Sequence, residues 1–355
     1  MKIALITDTH WGVRNDSLIM HNQMKKFLDE VFFPALDREN IDTVIHLGDL
    51  VDRRKYINYL TAKRLRDDFL VPLYEKDITM HVIAGNHDTF YKNTNDVNAL
   101  TELVSGKFSN IKVYHSEPVE YSFDGTHILL LPWICDDNRQ LTLDTIKLSI
   151  APIVMGHLEL NGYEMYRGHV SDHGDDPKIF DKFDLVCSGH YHTRSNSTNI
   201  YYLGTPCQYT WSDFGDDKGF HILDTDTRSL TFISNPYTSF KKFFYDDLNK
   251  QLDEVLVFDA ENYKDCYVKV IVKNKTNPYW FDLVIERLEK SGAADLQVVE
   301  DHFNLDLEED SDIVNEAEDT MSIVRKFISS MNINTDKKRV ETIIQNLYIE
   351  AHQIL

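Results

Sequence analysis

Five short clusters of His, Asp and Asn interrupt this chain, each at the end of an apolar run. They are Asp8-Thr9-His10 after IALIT, Gly48-Asp49-Leu50-Val51-Asp52-Arg53 after TVIHL, Gly85-Asn86-His87-Asp88 after MHVIA, Gly156-His157 after PIVM, and Gly189-His190-Tyr191-His192 after LVCS. Apolar runs of this length, bounded by glycine, read as buried strands. Polar residues at the carboxyl ends of several strands converge on one crevice of an open α/β sheet. That pattern constrains the fold more than any other feature of the chain.

The first third alternates strand and helix. A strand at 2–7 leads to an amphipathic stretch from Ser17 to Arg38, where Met20, Met24, Phe27, Leu28, Val31 and Phe32 recur at helical spacing. A strand at 42–47, a charged helix over 56–74 and a strand at 78–84 follow, which argues for a layered sheet with helical crossovers. The spacing then predicts a helix over 97–104, strands near 111–114, 118–123 and 127–131, and a helix over 139–149. Residues 199–234 read as a meander that forms a second sheet closing the catalytic domain, which spans 1–237.

A small α+β unit at 238–304 is expected next, with a strand at 267–272, a helix at 279–290 after Asn277-Pro278, and a strand at 296–299; Gly292 stops the helix. Residues 305–319 read as an acidic linker. Residues 320–355 read as a pair of helices, about 320–331 and 336–354. Thr335 reads as the N-cap of the second, on which Val340, Ile343, Ile344, Leu347, Tyr348 and Ala351 are spaced as an apolar stripe.

With 355 residues, a catalytic body plus smaller units is expected. The formal charge of −21 argues at first sight against a nucleic-acid binder. Its distribution weakens that objection, because Ser291 to Val324 holds eleven acids and no Lys or Arg. Cys135, Cys187, Cys207 and Cys266 occur singly, which suggests neither a zinc knuckle nor a disulfide framework. A strand that begins at the second residue leaves no room for a signal peptide, and no apolar run is long enough for a membrane span. A cytoplasmic protein is expected.

The clusters supply what a two-metal phosphoester hydrolase requires: one carboxylate that can bridge, plus imidazole, carboxylate and carbonyl-oxygen ligands. Asp8 and His10, two apart in an extended strand end, point the same way. Asp49 occupies a strand-to-loop turn suited to a bridging carboxylate. Asn86, His157, His190 and His192 complete seven ligand positions, and the preceding glycines let the backbone turn sharply beside them. His87 reads as a catalytic residue facing the substrate, with Asp88 accepting its other ring N–H and favouring the protonated form. Asp52 and Arg53 read equally well as a salt-bridged loop. His46, His81, His127 and His221 read as structural residues, and His169 and His173 as exposed ones.

These motifs resemble the calcineurin-like metallophosphoesterase superfamily: D-x-H, G-D-x-x-D-R, G-N-H-D, G-H and G-H-x-H. Tyr91-Lys92-Asn93, Pro132-Trp133, the stretch from Gly156 to Gly162 and Tyr202-Leu203-Gly204-Thr205-Pro206 narrow the resemblance to the SbcD, or meiotic-recombination-eleven, family of DNA repair nucleases, in the form carried by large tailed phages. The resemblance implies a four-layer αββα sandwich with a small α+β capping domain and a C-terminal helix pair. It implies one metal on Asp8, His10, Asp49 and His192, and a second on Asp49, Asn86, His157 and His190. It also implies manganese as the preferred ion with magnesium possible, 3′→5′ exonuclease and single-strand endonuclease activity on DNA, a homodimer, and an SMC-like coiled-coil ATPase of the SbcC type gripped by the C-terminal helices. Many cellular members carry a histidine where this chain has Asp52.

DNA affinity needs Lys or Arg near the phosphates. Asp52, Arg53, Arg54 and Lys55 beside the second motif are the expected DNA contacts, together with Lys63, Arg64 and Arg66 on the next helix, a cluster that reads equally well as a solvated face; Lys241 and Lys242 are weaker ones. A phosphomonoesterase or protein phosphatase on the same metal core is the alternative enzyme. A scaffold on an inactive phosphoesterase fold is disfavoured because all seven ligand positions are filled.

Overall fold

In the computed structural model, residues 1–300 and position 339 are described. The acidic linker at 305–319 and the helix pair at 320–355 expected from the sequence lie outside the described residues, apart from that single position.

Strict alternation along the strands builds two stacked sheets. The first has the order β14 (Ser229–Ser234), β13 (Gly219–Asp224), β1 (Lys2–Ile6), β2 (Thr43–His46), β3 (Thr79–Ile83), β4 (Ile111–Tyr114). The second has the order β11 (Ser195–Ser197), β12 (Ile200–Tyr202), β10 (Leu185–Gly189), β7 (Ile153–His157), β6 (Thr126–Leu131), β5 (Val119–Phe123). Ile3, Leu5, Ile45 and Ile83 of the first sheet meet Ile128, Leu130, Ile153, Met155 and Cys187 of the second in one core. Their strand neighbours Ala4, Ile6, Val44, Met80 and Val82 point the other way, onto Phe27, Phe32, Leu36, Phe69 and Leu73. Leu129, Leu131, Val154 and Val186 pack outward with Ile146 and Phe180. Each inner strand is therefore apolar on both faces, as a sheet covered on both sides requires, and the layers run α, β, β, α.

Helical segments at Leu18–Phe27 and Phe33–Glu39, joined by a π-helical Leu28–Phe32, supply the outer layer on the first sheet together with Tyr59–Glu75. On the second sheet the long outer helix is Arg139–Leu148. A short hairpin, β8 (Glu164–Tyr166) with β9 (His169–Val170), projects between β7 and β10.

Two expectations need correction. The meander over 199–234 does not form a sheet of its own. Its β12 joins the second sheet, whereas β13 and β14 extend the first sheet antiparallel to β1. The exposed ladder of β1 would otherwise be an unpaired edge, and Phe220 and Ile222 carry the apolar face that covers it. The polar clusters likewise do not rim a single open sheet. Three follow the adjacent parallel strands β1, β2 and β3, and two follow the parallel pair β7 and β10 of the other sheet.

The small unit contains one strand more than its sequence suggests. β15 (Phe240–Asp246), β16 (Tyr267–Asn274) and β17 (Asp295–Glu300) form a parallel sheet, and the helix Pro278–Lys290 packs on it through Phe281, Val284 and Leu288. The Lys241-Lys242 pair hides β15 from a reading by apolar pattern. The side chain of Asn277 caps the helix by accepting from the N–H of Tyr279 at 3.1 Å. Gln208 Oε1 accepts from the N–H groups of Ser239 and Phe240, and Ser17 Oγ lies 3.1 Å from Tyr267 Oη, tying this unit to the sandwich. Among the described residues, no helix is long and apolar enough to cross a membrane.

Candidate metal centre

Loops from both sheets meet at one end of the sandwich and are laced by their backbones. Asp8 N–H donates to the Gly48 carbonyl at 2.9 Å, and His10 N–H to the Asp49 carbonyl at 3.1 Å. The strand ends are not extended as expected: Asp8, His10, Asp49 and His190 all have positive φ, at 50°, 42°, 52° and 85°. A left-handed backbone at non-glycine residues is costly and persists only when surrounding structure enforces it. Here it turns each side chain into the shared space between the sheets.

Gly48 does need a positive φ, at 100°. The other motif glycines are required by proximity. A Cβ on Gly85 would lie 2.2 Å from Asp49 Oδ1, and one on Gly189 would lie 2.1 Å from Thr7 Oγ1.

The structure brings together all seven residues read as ligands. Asp8, His10 and His192 form one group of converging ligand atoms, and Asp49, His157 and His190 a second. Asn86 joins the second group, its Oδ1 lying 3.0 Å from both His157 Nε2 and His190 Nδ1. Asp49 Oδ2 lies 3.3 Å from His157 Nε2 and 3.7 Å from His10 Nε2, so one carboxylate oxygen faces both groups.

The donor set fits two divalent cations. His10 Nε2 and His192 Nε2 face each other at 3.2 Å in a buried site, and such a pair of nitrogens needs a proton or a cation between them. Burial lowers the His192 imidazole to about 4, which leaves it neutral and able to ligate at neutral pH. His157 Nδ1 lies 2.8 Å from the Leu47 carbonyl, which holds an N–H there and turns Nε2 into the centre; burial disfavours the charged ring, but Asp49 and Asp8 outweigh it and raise its pKa to about 9, so a cation at Nε2 would take the place of a proton. Burial pushes the Asp49 carboxyl up, but His157, His87 and His10 outweigh it and hold Asp49 well below the usual carboxylate range. Asp8, deeply buried beside Asp49, is pushed up to about 7.

The expected partnership of His87 with Asp88 is absent. The tight turn after β3 points Asp88 inward, where its carboxylate accepts from Gly85 N–H at 2.8 Å and Val51 N–H at 3.1 Å. Asp88 is a buried staple between the second and third motifs, and burial raises its carboxyl to about 7. The ring Nδ1 of His87 instead lies 2.6 Å from the carbonyl oxygen of Asp52. Burial works against protonation of His87, but Asp49 and the Asp52 carbonyl outweigh it and raise its pKa.

Three of the four expected DNA contacts have close partners within the protein, and Lys55 is exposed. The Asp52 carboxylate faces His10, with Oδ1 3.5 Å from Nδ1. Arg53 donates to Asp16 at 2.7 Å and to Asn15 at 3.0 Å. Arg54 donates to the carbonyls of Thr89 and Tyr91 at 2.9 and 2.8 Å, and Lys55 Nζ lies 5.9 Å from the Phe90 ring centre. On the next helix, Lys63 and Arg66 both pair with Asp67.

Sequence reading missed three supporting groups. Glu159 Oε1 lies 3.9 Å from His190 Nε2, on the ring edge opposite Asn86; its place two residues after His157 on an extended run is the only local signal. Lys218, 3 % exposed, donates to the His192 carbonyl at 2.8 Å and to Asp213 at 2.6 Å. Tyr209 completes that network, its N–H donating to Asp213 and its Oη to the carbonyls of Asp8 and Thr9. Nothing in their sequence neighbourhood marks Lys218 or Tyr209.

Residues 1–194 match the calcineurin-like phosphoesterase family. Exonuclease subunit 1 of Enterobacteria phage T4 is 35% identical over 99% of this chain and 100% of its own length. The chain belongs to the calcineurin-like phosphoesterases, in their SbcD/Mre11-like branch. The SbcD component of the nuclease SbcCD from Staphylococcus epidermidis is 23% identical over 80% of this chain and 79% of its own. The DNA double-strand break repair protein Mre11 of Sulfurisphaera tokodaii is 28% identical over 54% of this chain and 49% of its own. As a member of this branch the protein is a metal-dependent phosphoester hydrolase, and the clustered side chains are candidate groups for holding divalent metal.

Proposed function

We propose that the protein is a manganese-dependent DNA nuclease, with 3′→5′ exonuclease and single-strand endonuclease activity, and the nuclease subunit of an SbcCD-type recombination and repair complex in the host cytoplasm. The observation that carries this reading is Asp49 Oδ2, which faces His10 at 3.7 Å and His157 at 3.3 Å, the position of a carboxylate shared by two cations. One cation would be held by Asp8, His10, Asp49 and His192, and the other by Asp49, Asn86, His157 and His190. Manganese suits the mixed oxygen and nitrogen donors.

When bound, such a pair polarises a phosphoryl oxygen and lowers the pKa of a bound water. The protein's own groups do the rest. The Leu47 carbonyl and Glu159 orient His157 and His190. The Asp52 carbonyl holds the Nδ1 edge of His87 and leaves Nε2 for the substrate. The raised pKa of His87 suits a residue that stabilises developing charge and delivers a proton to the leaving oxygen.

DNA, an SMC-like ATPase of the SbcC type and a second copy of the chain are the proposed partners, the ATPase gripped by 320–355. With Arg53, Arg54 and Asp67-paired Lys63 occupied internally, the protein without its ATPase is expected to bind DNA weakly and in a salt-sensitive way. Bis-aryl phosphate, aryl phosphate and linear DNA should be compared as substrates with added manganese. Cleavage of the diester and of DNA is expected. Turnover of the monoester alone would overturn the reading in favour of a phosphomonoesterase. Truncation after Asp319 should spare diester hydrolysis and abolish co-purification with the ATPase.

A further inference from the structure

Beside the metal centre, on the side of His157 and His190, the fold leaves a cavity of about 270 Å³. Trp133, Leu158 and Phe180 line its apolar walls, and Glu159, Arg139 and Asp175 its polar positions. The cavity adjoins the centre, since His157 lines the one and belongs to the other. The Trp133 ring also lies against the ligand histidines, 5.2 Å from His190 and 6.0 Å from His157 between ring centres.

Trp133 is rigidly mounted. Its N–H donates to the Ala84 carbonyl at 2.7 Å, and its carbonyl accepts from Asn95 at 2.8 Å and Asn138 at 3.0 Å. The charges of the cavity exclude a phosphate. Arg139 is paired with Asp175, and the Glu159 carboxylate lies 3.4 Å from His173 and 3.9 Å from His190. A molecule with its phosphate on the adjoining cations would therefore place its flat, uncharged portion here. Aromatic and aliphatic walls with a few directed polar groups are what such a portion requires.

We propose that this cavity is a nucleobase subsite, with Trp133 as the stacking surface and Glu159 as acceptor for an exocyclic amine of the base. The inference rests on the phosphodiesterase reading above and adds to it where the base of the reacting nucleotide goes. A base that presents an exocyclic amine to Glu159, such as cytosine, is favoured over thymine, which has a carbonyl oxygen in place of that amine and would face the carboxylate acceptor to acceptor.

The test is calorimetric titration of the full-length protein, in manganese, with deoxycytidine 5′-monophosphate, thymidine 5′-monophosphate and 2-deoxyribose 5-phosphate. Deoxycytidine monophosphate is expected to bind roughly tenfold or more tighter than the baseless sugar phosphate, the scale of one base–aromatic stack. Trp133→Leu should reduce that advantage to near unity and Trp133→Phe should restore most of it, while Glu159→Gln should narrow the gap between the two nucleotides. Equal binding of nucleotide and sugar phosphate by the wild type, a comparison that needs no variant, would overturn the subsite and leave the phosphoesterase centre standing. An undiminished base advantage in Trp133→Leu would overturn it too. Failure of all three ligands to bind would instead remove the reading of the centre on which the inference rests.

Discussion

The Nδ1 of His87 lies 2.6 Å from the main-chain carbonyl of Asp52, whose carboxylate lies 3.5 Å from Nδ1 of His10. One residue thus faces two imidazoles, one read as a metal ligand and one as a catalyst, through two different groups, and hydrogen-bonds the second. Asp52→Asn keeps the carbonyl and removes the charge beside His10. Manganese affinity should fall about 10- to 100-fold at one of two sites, the scale of removing an outer partner of a ligand histidine. Calorimetric manganese titration checks this, and unchanged affinity at both sites would mean that the carboxylate does not support His10.

His87→Gln should leave both cations bound while kcat for bis-aryl phosphate falls roughly 10²- to 10⁴-fold, the usual contribution of a positioned general acid. Metal content of the purified variant and its steady-state kinetics decide the matter together. Loss of metal would place His87 among the ligands.

Gly85→Ala would put a methyl group 2.2 Å from Asp49 Oδ1. That oxygen also accepts the His87 N–H at 2.7 Å, so the clash displaces the shared carboxylate and the third motif together. Hydrolysis and metal binding should both be lost while the sandwich still folds, as read by circular dichroism alongside metal analysis.

Lys218→Met would leave the Asp213 carboxylate, 1 % exposed, buried without the Lys218 ammonium group. Breaking a buried pair in this way costs about 3–5 kcal/mol, measurable by urea denaturation. Because Lys218 also holds the His192 carbonyl, metal binding on the His10–His192 side should weaken more than on the His157–His190 side. Lys218→Arg should recover part of both losses.

His81 sits in an aromatic pocket against Tyr121 and Phe123, with Nδ1 2.9 Å from Tyr114 Oη. Burial lowers its imidazole from 6.5 to about 4. The unfolded chain binds a proton there that the folded chain refuses, so the stabilisation is complete above pH 6.5 and is lost as pH falls through the window down to 4. His81→Phe should flatten the acid side of the stability curve by up to about 3 kcal/mol across that window. Denaturation midpoints of wild type and variant at pH 7 and pH 4.5 provide the comparison, and parallel curves would refute the assignment.

Much of the site was legible because its chemistry demands particular residue types. Few side-chain types ligate divalent cations, and Asp8, His10, Asp49, Asn86, His157, His190 and His192 are all of those types, each following a run whose apolar pattern marks a strand. The partner of His87 was not legible. Asp88 is adjacent in sequence, but the turn after β3 sends it to the Gly85 and Val51 amides, and a carbonyl 35 residues away takes the ring N–H. The partners of Arg53 and Arg54 were not legible for a related reason, since composition shows charge but not the Asp16 and Thr89 groups that they pair with.

By itself the sequence determined the inner strands of the sandwich, their buried character, the inventory of ligand residues and the order in which they arrive. Those depend on side-chain type and on periods of two and 3.6, which are local. The tertiary structure alone decided that the clusters come from two stacked sheets, that Asp49 faces both ligand groups, and that Lys218, Tyr209 and Glu159 support them. Those are contacts between residues far apart in the chain, set by sheet order and by left-handed turns at Asp8, His10, Asp49 and His190, and no local pattern encodes them.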